Sequence, residues 1–202
     1  NQVDVQVGGP VVWKPTTFGV NQAAFVTLRT LDALSPSQGV LLKVQSGTIP
    51  NGGAIAVVYD SLAKAVRVST LRLNTPTWTA YANTPATFAN GDKLVGCVQA
   101  NGTVRVYQNN TLLTTVTLNA ALDRTLTVPN FQRGHRHRAS QGVTLAGGKG
   151  INVARALKLL GVPVIATGLA GGRTGTRIVE ELTAEAILND FVRISDESRT
   201  ST

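Results

Sequence analysis

Leu112-Leu113-Thr114-Thr115-Val116-Thr117-Leu118 joins two regions of different composition and is compatible with a strand in either of them. Residues 1–112 contain no Glu and are rich in Thr, Val, Asn, Ala and Gly, a composition typical of strands and turns. From about Lys149 onward, residues that favour helices recur at helical spacing. The stretch therefore serves equally well as the last strand of a β-rich region and as the first strand of an α/β region.

The first region alternates apolar and polar residues, which predicts short antiparallel strands. Lys93–Ala100 and Thr103–Gln108 flank Asn101-Gly102, and this pair predicts a type I′ hairpin turn because both residues tolerate positive φ. Asn109-Asn110 predicts a second turn, before Thr111–Leu118. Further strands are predicted at Val3–Val7, Ala24–Leu31, Gly39–Gln45, Ala54–Asp60 and Ala65–Leu73, the last two joined at Ser61–Lys64.

The first region also resembles the concanavalin/laminin-G-like sandwiches of bacterial extracellular proteins. The resemblance rests on Phe25–Leu28, Gly39–Val44, Phe88–Leu94, Val104–Tyr107 and Asn110–Leu113. The predicted fold is therefore mainly β: a jelly-roll or concanavalin-like antiparallel sandwich over residues 1–113, followed by a partial α/β segment over residues 114–202.

The second region predicts a β–α–β–α–β order. Ile151 to Leu160 has helical apolar spacing, and Gly161 and Pro163 end the helix. A buried strand is predicted at Val162–Gly168, an amphipathic helix at Thr174–Leu188 and a last strand at Phe191–Ile194.

Two motifs of the second region carry a resemblance to a family. Leu118-Asn119-Ala120-Ala121-Leu122-Asp123 is followed by Ala146-Gly147-Gly148-Lys149-Gly150-Ile151-Asn152-Val153-Ala154-Arg155-Ala156. Together they resemble the N-terminal part of the PfkB (ribokinase-like) sugar kinases, in the 1-phosphofructokinase and tagatose-6-phosphate kinase branch. Ala120 stands where that family has Pro.

The kinase resemblance implies a sugar-phosphate site. Asp123 would bind sugar hydroxyls, which a carboxylate does by accepting two protons at once. The glycine-rich segment would let the backbone approach the ligand at a helix N-terminus, which favours an anion. Arg199 would bind the sugar phosphate. The residues implied are Asp123, Gly147, Gly148, Lys149, Gly150, Asn152 and Arg199. A glycine-rich turn that merely caps a helix is the alternative.

The resemblance stops before the family's catalytic motif, Gly-x-Gly-Asp, which occurs nowhere in the sequence. The nucleotide-binding half is not represented either, so we expect no enzymatic activity and no cofactor. ATP and Mg²⁺ would belong to the complete kinase. The join of two unlike regions indicates a chimera, a gene-fusion remnant or a misidentified sequence.

Our first functional hypothesis is a carbohydrate-binding or adhesive module of a secreted bacterial protein, with a glycan or polysaccharide as partner. Trp78, Tyr81 and Trp13 are the candidate sugar-stacking aromatics, and Trp78 is the best candidate because its surroundings predict a loop. The alternative for each of these rings is a place in the core. Asp60 and Asp92 offer only thin evidence for calcium.

Two further hypotheses are a structural subunit of an extracellular assembly and a sugar-phosphate kinase segment that is inactive as it stands. Gln2–Val12 begins with the alternation of a donor or edge strand, and strand addition is a route to polymers. Self-association would use exposed strand edges or the incomplete α/β segment. The sandwich predicts an extracellular location, whereas the kinase segment alone would predict the cytoplasm.

Composition argues against several other classes. There is no apolar run long enough for a membrane span, and the net charge of +8 is clustered only at Arg133–Arg138, where Phe131 is the one nearby aromatic. That pattern argues against a nucleic-acid surface. His135 and His137 have no partner at metal-ligand spacing, and Cys97 lies in an apolar strand pattern. We therefore predict no metal site.

Overall fold

The computed structural model describes residues 18–34, 36–45, 52–72 and 77–202. The strands of the first region are β1 (Gln22–Thr27), β2 (Ser37–Leu42), β3 (Ala54–Asp60), β4 (Ala65–Leu71), β5 (Trp78–Pro85), β6 (Lys93–Val98), β7 (Thr103–Gln108) and β8 (Thr111–Thr117). The remaining elements are β9 (Ala121–Thr127), β10 (Gln141–Gly147), α1 (Lys149–Leu159), β11 (Ile165–Gly171), α2 (Gly172–Ala184), β12 (Asn189–Ile194) and β13 (Arg199–Ser201). The predicted strand at Val3–Val7 and the predicted donor strand at Gln2–Val12 lie outside the described residues.

The predicted hairpins form, and one of them has a different turn from the one expected. Gly102 has a φ of 81°, whereas Asn101 keeps a negative φ. The Gly102 N–H donates to the Gln99 carbonyl at 3.1 Å, and the Gln99 N–H donates to the Thr103 carbonyl at 3.0 Å. The type I′ prediction is therefore wrong. The hairpin has a three-residue loop, and the four-residue turn from Gln99 ends at Gly102, which has a left-handed backbone conformation.

The strand β8 is shared by the two regions. Its six-stranded sheet has the order β1-β6-β7-β8-β11-β12, in which β8 runs antiparallel to β7 and parallel to β11. The strand crosses the expected domain limit between residues 113 and 114. The stretch is therefore a strand of both regions. The ladders among the described strands β1 to β8 are all antiparallel, and the six-stranded sheet is mixed because β11 and β12 are parallel to their neighbours.

A second sheet, in the order β2-β3-β4-β5, packs on one face of the six-stranded sheet. Buried side chains from both sheets, such as Tyr59, Leu94 and Val116, form one apolar cluster. This layer also covers the second region, because Leu169 of β11 packs against the cluster and the Thr167 hydroxyl donates to the Tyr81 carbonyl at 2.8 Å. The fold is thus mainly β with two stacked sheets. Its jelly-roll or concanavalin-like classification stays a prediction.

Both helices lie on the opposite face of the six-stranded sheet. Ile151 and Ala154 of α1 and Ile178 and Leu182 of α2 are fully buried, in a cluster that includes Leu112 of β8. The strand β11 therefore has a packing partner on each face, because Leu169 contacts the sheet–sheet cluster and Ala166 the cluster beneath the helices. The predicted second helix ends earlier than expected, at Ala184. At 11 and 13 residues, neither helix of the described part is long enough to cross a membrane.

Because β8 joins both cores, we expect the two layers to unfold together. Leu94→Ala in the sheet–sheet core and Leu182→Ala in the helix layer should each lower the free energy of unfolding by about 2–5 kcal/mol. Both should shift a single transition, which is measured by far-UV circular dichroism for the helices and by tryptophan fluorescence for the first region. Leu34→Ala is the control, since Leu34 is 93% exposed. Two separated transitions would show that the regions fold independently.

Candidate functional site

A cavity of about 490 Å³ opens where the two regions meet. It is formed by the β6–β7 hairpin, the C-terminal end of β8, the first residues of β9, the start of α1, and β13. Its lining residues are Asn101, Thr103, Thr117, Asn119, Asp123, Gly148, Lys149, Asn152, Arg199 and Ser201. Five of the seven residues implied by the kinase resemblance are in this set, although they are separated by up to 76 positions in the sequence.

The glycines let three backbone segments pass close together beneath the cavity. Gly148 has a φ of 118°, a conformation that favours glycine. A Cβ at Gly150 would overlap the Thr117 hydroxyl, and a Cβ at Gly147 would overlap the Asp123 carboxylate. Gly147 and Gly150 therefore pack against the protein's own side chains, whereas Gly148 lines the cavity itself. The segment holds α1 and Asp123 in place as well as leaving room for a ligand.

The N-terminus of α1 faces the cavity without a cap. The N-cap residue is Gly148, so no N-cap side chain accepts a hydrogen bond from the first turn. That turn also contains no acidic residue. The unpaired N–H groups of such a turn carry partial positive charge and favour an anion. Lys149, the first helical residue, adds a full positive charge at the same place. This end of the cavity is therefore suited to a phosphate group.

The N-terminus of α2 is capped by the protein itself. The Glu197 carboxylate accepts hydrogen bonds from the backbone N–H groups of Thr174, at 2.6 Å, and Arg173, at 3.2 Å. Hydrogen bonding from Thr174 is the main reason that the pKa of Glu197 lies below its usual range. Among the two described helices, α1 alone has an N-terminus without a carboxylate.

Asn152 is oriented by Arg155, which lies in the same motif and for which the family resemblance implies no role. Arg155 donates to the Asn152 Oδ1 at 2.9 Å and to the Ala146 carbonyl at 2.9 Å. It also makes a bidentate pair with Glu185, at 2.6 and 2.8 Å. Because Oδ1 of Asn152 is already an acceptor for Arg155, its amide N–H groups are the atoms left for a ligand.

Arg199 is held in a similar way by Asn119. The Arg199 Nε donates to the Asn119 Oδ1 at 3.1 Å, so the two terminal nitrogens of the guanidinium remain as donors. Arg199 lies in β13, which pairs in parallel with β9, the strand that carries Asp123. The cavity thus combines two cations with one carboxylate. Asn119 and Arg155 lie inside the quoted motifs, which is the signal that could have identified them.

Comparisons with known proteins agree with the kinase part of the sequence prediction. Residues 114–202 match the family model described as pfkB family carbohydrate kinase. A 1-phosphofructokinase of Haloferax volcanii is 39% identical over 92 residues, which are 45% of this chain and 30% of that protein. A tagatose-6-phosphate kinase of Staphylococcus epidermidis is 38% identical over 88 residues, which are 44% of this chain and 28% of that protein.

Solved structures give a similar coverage. The phosphofructokinase-2 of Escherichia coli in complex with fructose-6-phosphate is 35% identical, with a TM-score of 0.42, over 44% of this chain and 29% of that one. This chain thus spans about 30% of the length of the curated relatives it matches. The PfkB-like segment is confirmed for residues 114–202, and these relatives match less than half of the chain.

Of the expected aromatic platform, the described residues Trp78 and Tyr81 lie in different environments. Tyr81 is 6% exposed and belongs to the sheet–sheet core, where its hydroxyl accepts a hydrogen bond from Thr70 at 2.8 Å. Its ring is therefore unavailable for stacking on a sugar. Trp78 lies in β5 and not in a loop, because it pairs with Leu71 of β4, but it keeps 39% of its surface exposed. Trp13 lies outside the described residues.

The two acids considered for calcium both serve turns. Asp60 accepts hydrogen bonds from the N–H groups of Leu62 and Ala63 and pairs with Arg67. Asp92 accepts from the Ala89 N–H, at 2.9 Å, and from the side chains of Gln108 and Asn109. Within the described residues no three His, Cys, Asp or Glu side chains are grouped so that they could hold a metal ion.

The Arg155–Glu185 pair should stabilise the fold more than an exposed pair does. We expect Glu185→Gln to lower the free energy of unfolding by about 1–2 kcal/mol at neutral pH, since both side chains are about three-quarters buried. Hydrogen bonds from Arg155 hold the pKa of Glu185 below its usual range. The stabilisation is therefore present above the usual carboxyl range and is lost as the pH falls through the lowered folded-state pKa.

The measurement is denaturant unfolding at neutral and acidic pH. Glu181→Gln is the matched control, because Glu181 makes a single 3.3 Å contact with Arg177, whose side chain is 59% exposed. That substitution should cost only about 0.3–0.5 kcal/mol. Equal losses for the two variants would contradict a special role for the Arg155 network.

The glycan hypothesis now depends on Trp78 among the described aromatics of the predicted platform. If it holds, Trp78→Ala will weaken binding to a glycan identified on an array and will leave the unfolding midpoint close to that of the original chain. Phe131→Ala is the control, because Phe131 is an aromatic that is 72% exposed in a different part of the fold. Unchanged glycan binding by Trp78→Ala would remove this residue from the site.

Proposed function

We propose that this chain binds a hexose phosphate in the cavity at the junction of its two regions. The observation that supports the proposal is the convergence of Asp123, Lys149, Asn152 and Arg199 from three separate elements, β9, α1 and β13, on one cavity. Two cations, an uncapped helix N-terminus, an oriented amide and a carboxylate are the groups that a phosphorylated sugar requires.

Each group has a chemical role in this proposal. The guanidinium of Arg199 presents a planar pair of donors to the phosphate oxygens. Lys149 and the N–H groups of α1 add positive potential at the same end. The Asp123 carboxylate accepts hydrogen bonds from sugar hydroxyls, and the Asn152 amide donates to a sugar oxygen. Arg155 and Asn119 touch no ligand and act by orienting Asn152 and Arg199.

We propose that these 202 residues bind the hexose phosphate but do not transfer a phosphoryl group to it. Transfer needs the acceptor hydroxyl and the donor phosphate to be positioned together. The family resemblance assigns the general base and the anion hole to Gly-x-Gly-Asp, which is not in the sequence. ATP and Mg²⁺ would belong to the complete kinase, and we derive no step through them.

The positions of the described candidate residues favour a hexose phosphate over a glycan as ligand. Five residues of the sugar-phosphate set line a single cavity, whereas Tyr81 of the aromatic set is in the core. With this ligand, the cytoplasm that the kinase resemblance implies becomes the proposed location in place of the extracellular one. Self-association through exposed edges, such as the outer strands β1 and β12, stays a prediction.

Isothermal titration calorimetry with fructose 6-phosphate tests the proposal. We expect saturable binding by the original chain and a Kd that rises about 10- to 100-fold in Arg199→Ala, because a hydrogen bond between charged groups contributes about 1.5–3 kcal/mol. Arg138→Ala is the matched control: it removes the same charge from an exposed loop. Unphosphorylated fructose should bind much more weakly than its phosphate.

Two results would contradict the proposal. The sugar-phosphate function is contradicted if the chain binds none of three ligands: fructose 6-phosphate, fructose 1-phosphate and tagatose 6-phosphate. Equal affinity of Arg199→Ala and Arg138→Ala would place the ligand outside this cavity. Addition of ATP and Mg²⁺ should give no phosphorylated product.

A further inference from the structure

One wall of the cavity comes from the β6–β7 hairpin, which lies outside the PfkB-like residues 114–202. Asn101, at the tip of this hairpin, and Thr103, at the start of β7, both line the cavity. Thr103 is directly opposite Thr117 of β8 in the sheet. The residue that the sequence analysis used only as a turn signal is thus part of the candidate site.

The hairpin holds Asn101 in a defined position. The Asn101 Oδ1 accepts a hydrogen bond from the Thr103 N–H at 3.0 Å. The preceding residue, Ala100, donates its N–H to the Asn21 side chain at 2.9 Å, and Gly102 closes the turn onto Gln99. Because Oδ1 is already paired with the backbone, the Nδ2 amide is the group that remains for a ligand.

The floor beside this wall contains a polar atom without a partner. Thr117 is 3% exposed, and its Oγ1 has no hydrogen-bond partner among the described residues. A buried hydroxyl without a partner costs free energy unless a water or a ligand supplies one. The lining residues Asn101, Thr103 and Thr117 make this part of the cavity polar, as a site for ligand oxygens needs to be.

We propose that Asn101 of the β6–β7 hairpin is a binding residue that donates a hydrogen bond from Nδ2 to an oxygen of the hexose phosphate. The first region then supplies ligand contacts as well as a structural layer, and the complete site requires both regions. This inference rests on the proposed function. It goes beyond the kinase resemblance, which covers no residue before position 114.

The alternative is that Asn101 serves only the turn. Two substitutions separate these roles. Asn101→Asp keeps the acceptor for the Thr103 N–H, because Asp also forms this kind of turn, but it removes the Nδ2 donor and adds a negative charge. Asn101→Ala removes both functions. A role confined to the turn is conserved in Asn101→Asp, whereas a donor to a ligand oxygen is lost in both variants.

The experiment is calorimetric titration of the full chain with fructose 6-phosphate. We expect the Kd to rise about 3- to 10-fold in Asn101→Ala, as for the loss of one neutral hydrogen bond. In Asn101→Asp it should rise at least as much, because a carboxylate repels a phosphate. Asn110→Ala and Asn110→Asp are the matched controls on the exposed β7–β8 turn of the same sheet, and they should leave the Kd unchanged.

Thermal unfolding accompanies each titration, and if Asn101→Ala is unfolded, Asn101→Asp provides the test. A Kd for Asn101→Asp equal to or below that of the original chain would overturn this inference. If binding depends on Arg199 and not on Asn101, the inference fails and the proposed function stands. If the original chain binds none of the three sugar phosphates, both fail.

Discussion

The pairing of β8 on both of its edges is the constraint on which the rest of the structure depends. One edge forms an antiparallel ladder with β7 and the other a parallel ladder with β11. Thr114–Thr117 are paired on both edges, so neither region has a free edge over these residues at the join. The faces of the strand are divided in the same way: Val116 belongs to the sheet–sheet core, and Leu112 to the core beneath the helices.

The cavity follows from the same constraint, because it lies at the end of β8. Thr117 ends the strand and contacts the glycine-rich segment, while Asn119 and Asp123 follow on the next turn and strand. The partner strand β7 begins at this end, so its hairpin becomes a wall. A site built in this way draws its charged groups from residues 114–202 and one polar wall from the first region. Its integrity therefore depends on the packing of both cores.

Local patterns were sufficient for the elements with strong periodicity or strong turn chemistry. The strand at Ala54–Asp60, the hairpin at Ser61–Lys64 and the helix after Gly148 were predicted from the sequence and occur in the structure. The failures have physical causes. Thr and Pro around Trp78 predict a loop, but ladder hydrogen bonds to β4 outweigh local propensity. The turn at Asn101 differs because the Thr103 N–H donates a hydrogen bond to the Asn101 Oδ1, which favours another turn geometry.

The sequence by itself determined the two compositions, the alternation of the strands, and the motifs that carry Asp123, Lys149, Asn152 and Arg199, because these depend on neighbours in the chain. Only the tertiary structure decided that Tyr81 lies in the core, that Arg155 pairs with Glu185, and that Asn101 lies beside the same cavity as Arg199. Those relations join residues that are remote in sequence or depend on which face of a sheet is covered. No local pattern encodes them, since they arise when β8 pairs with both regions at once.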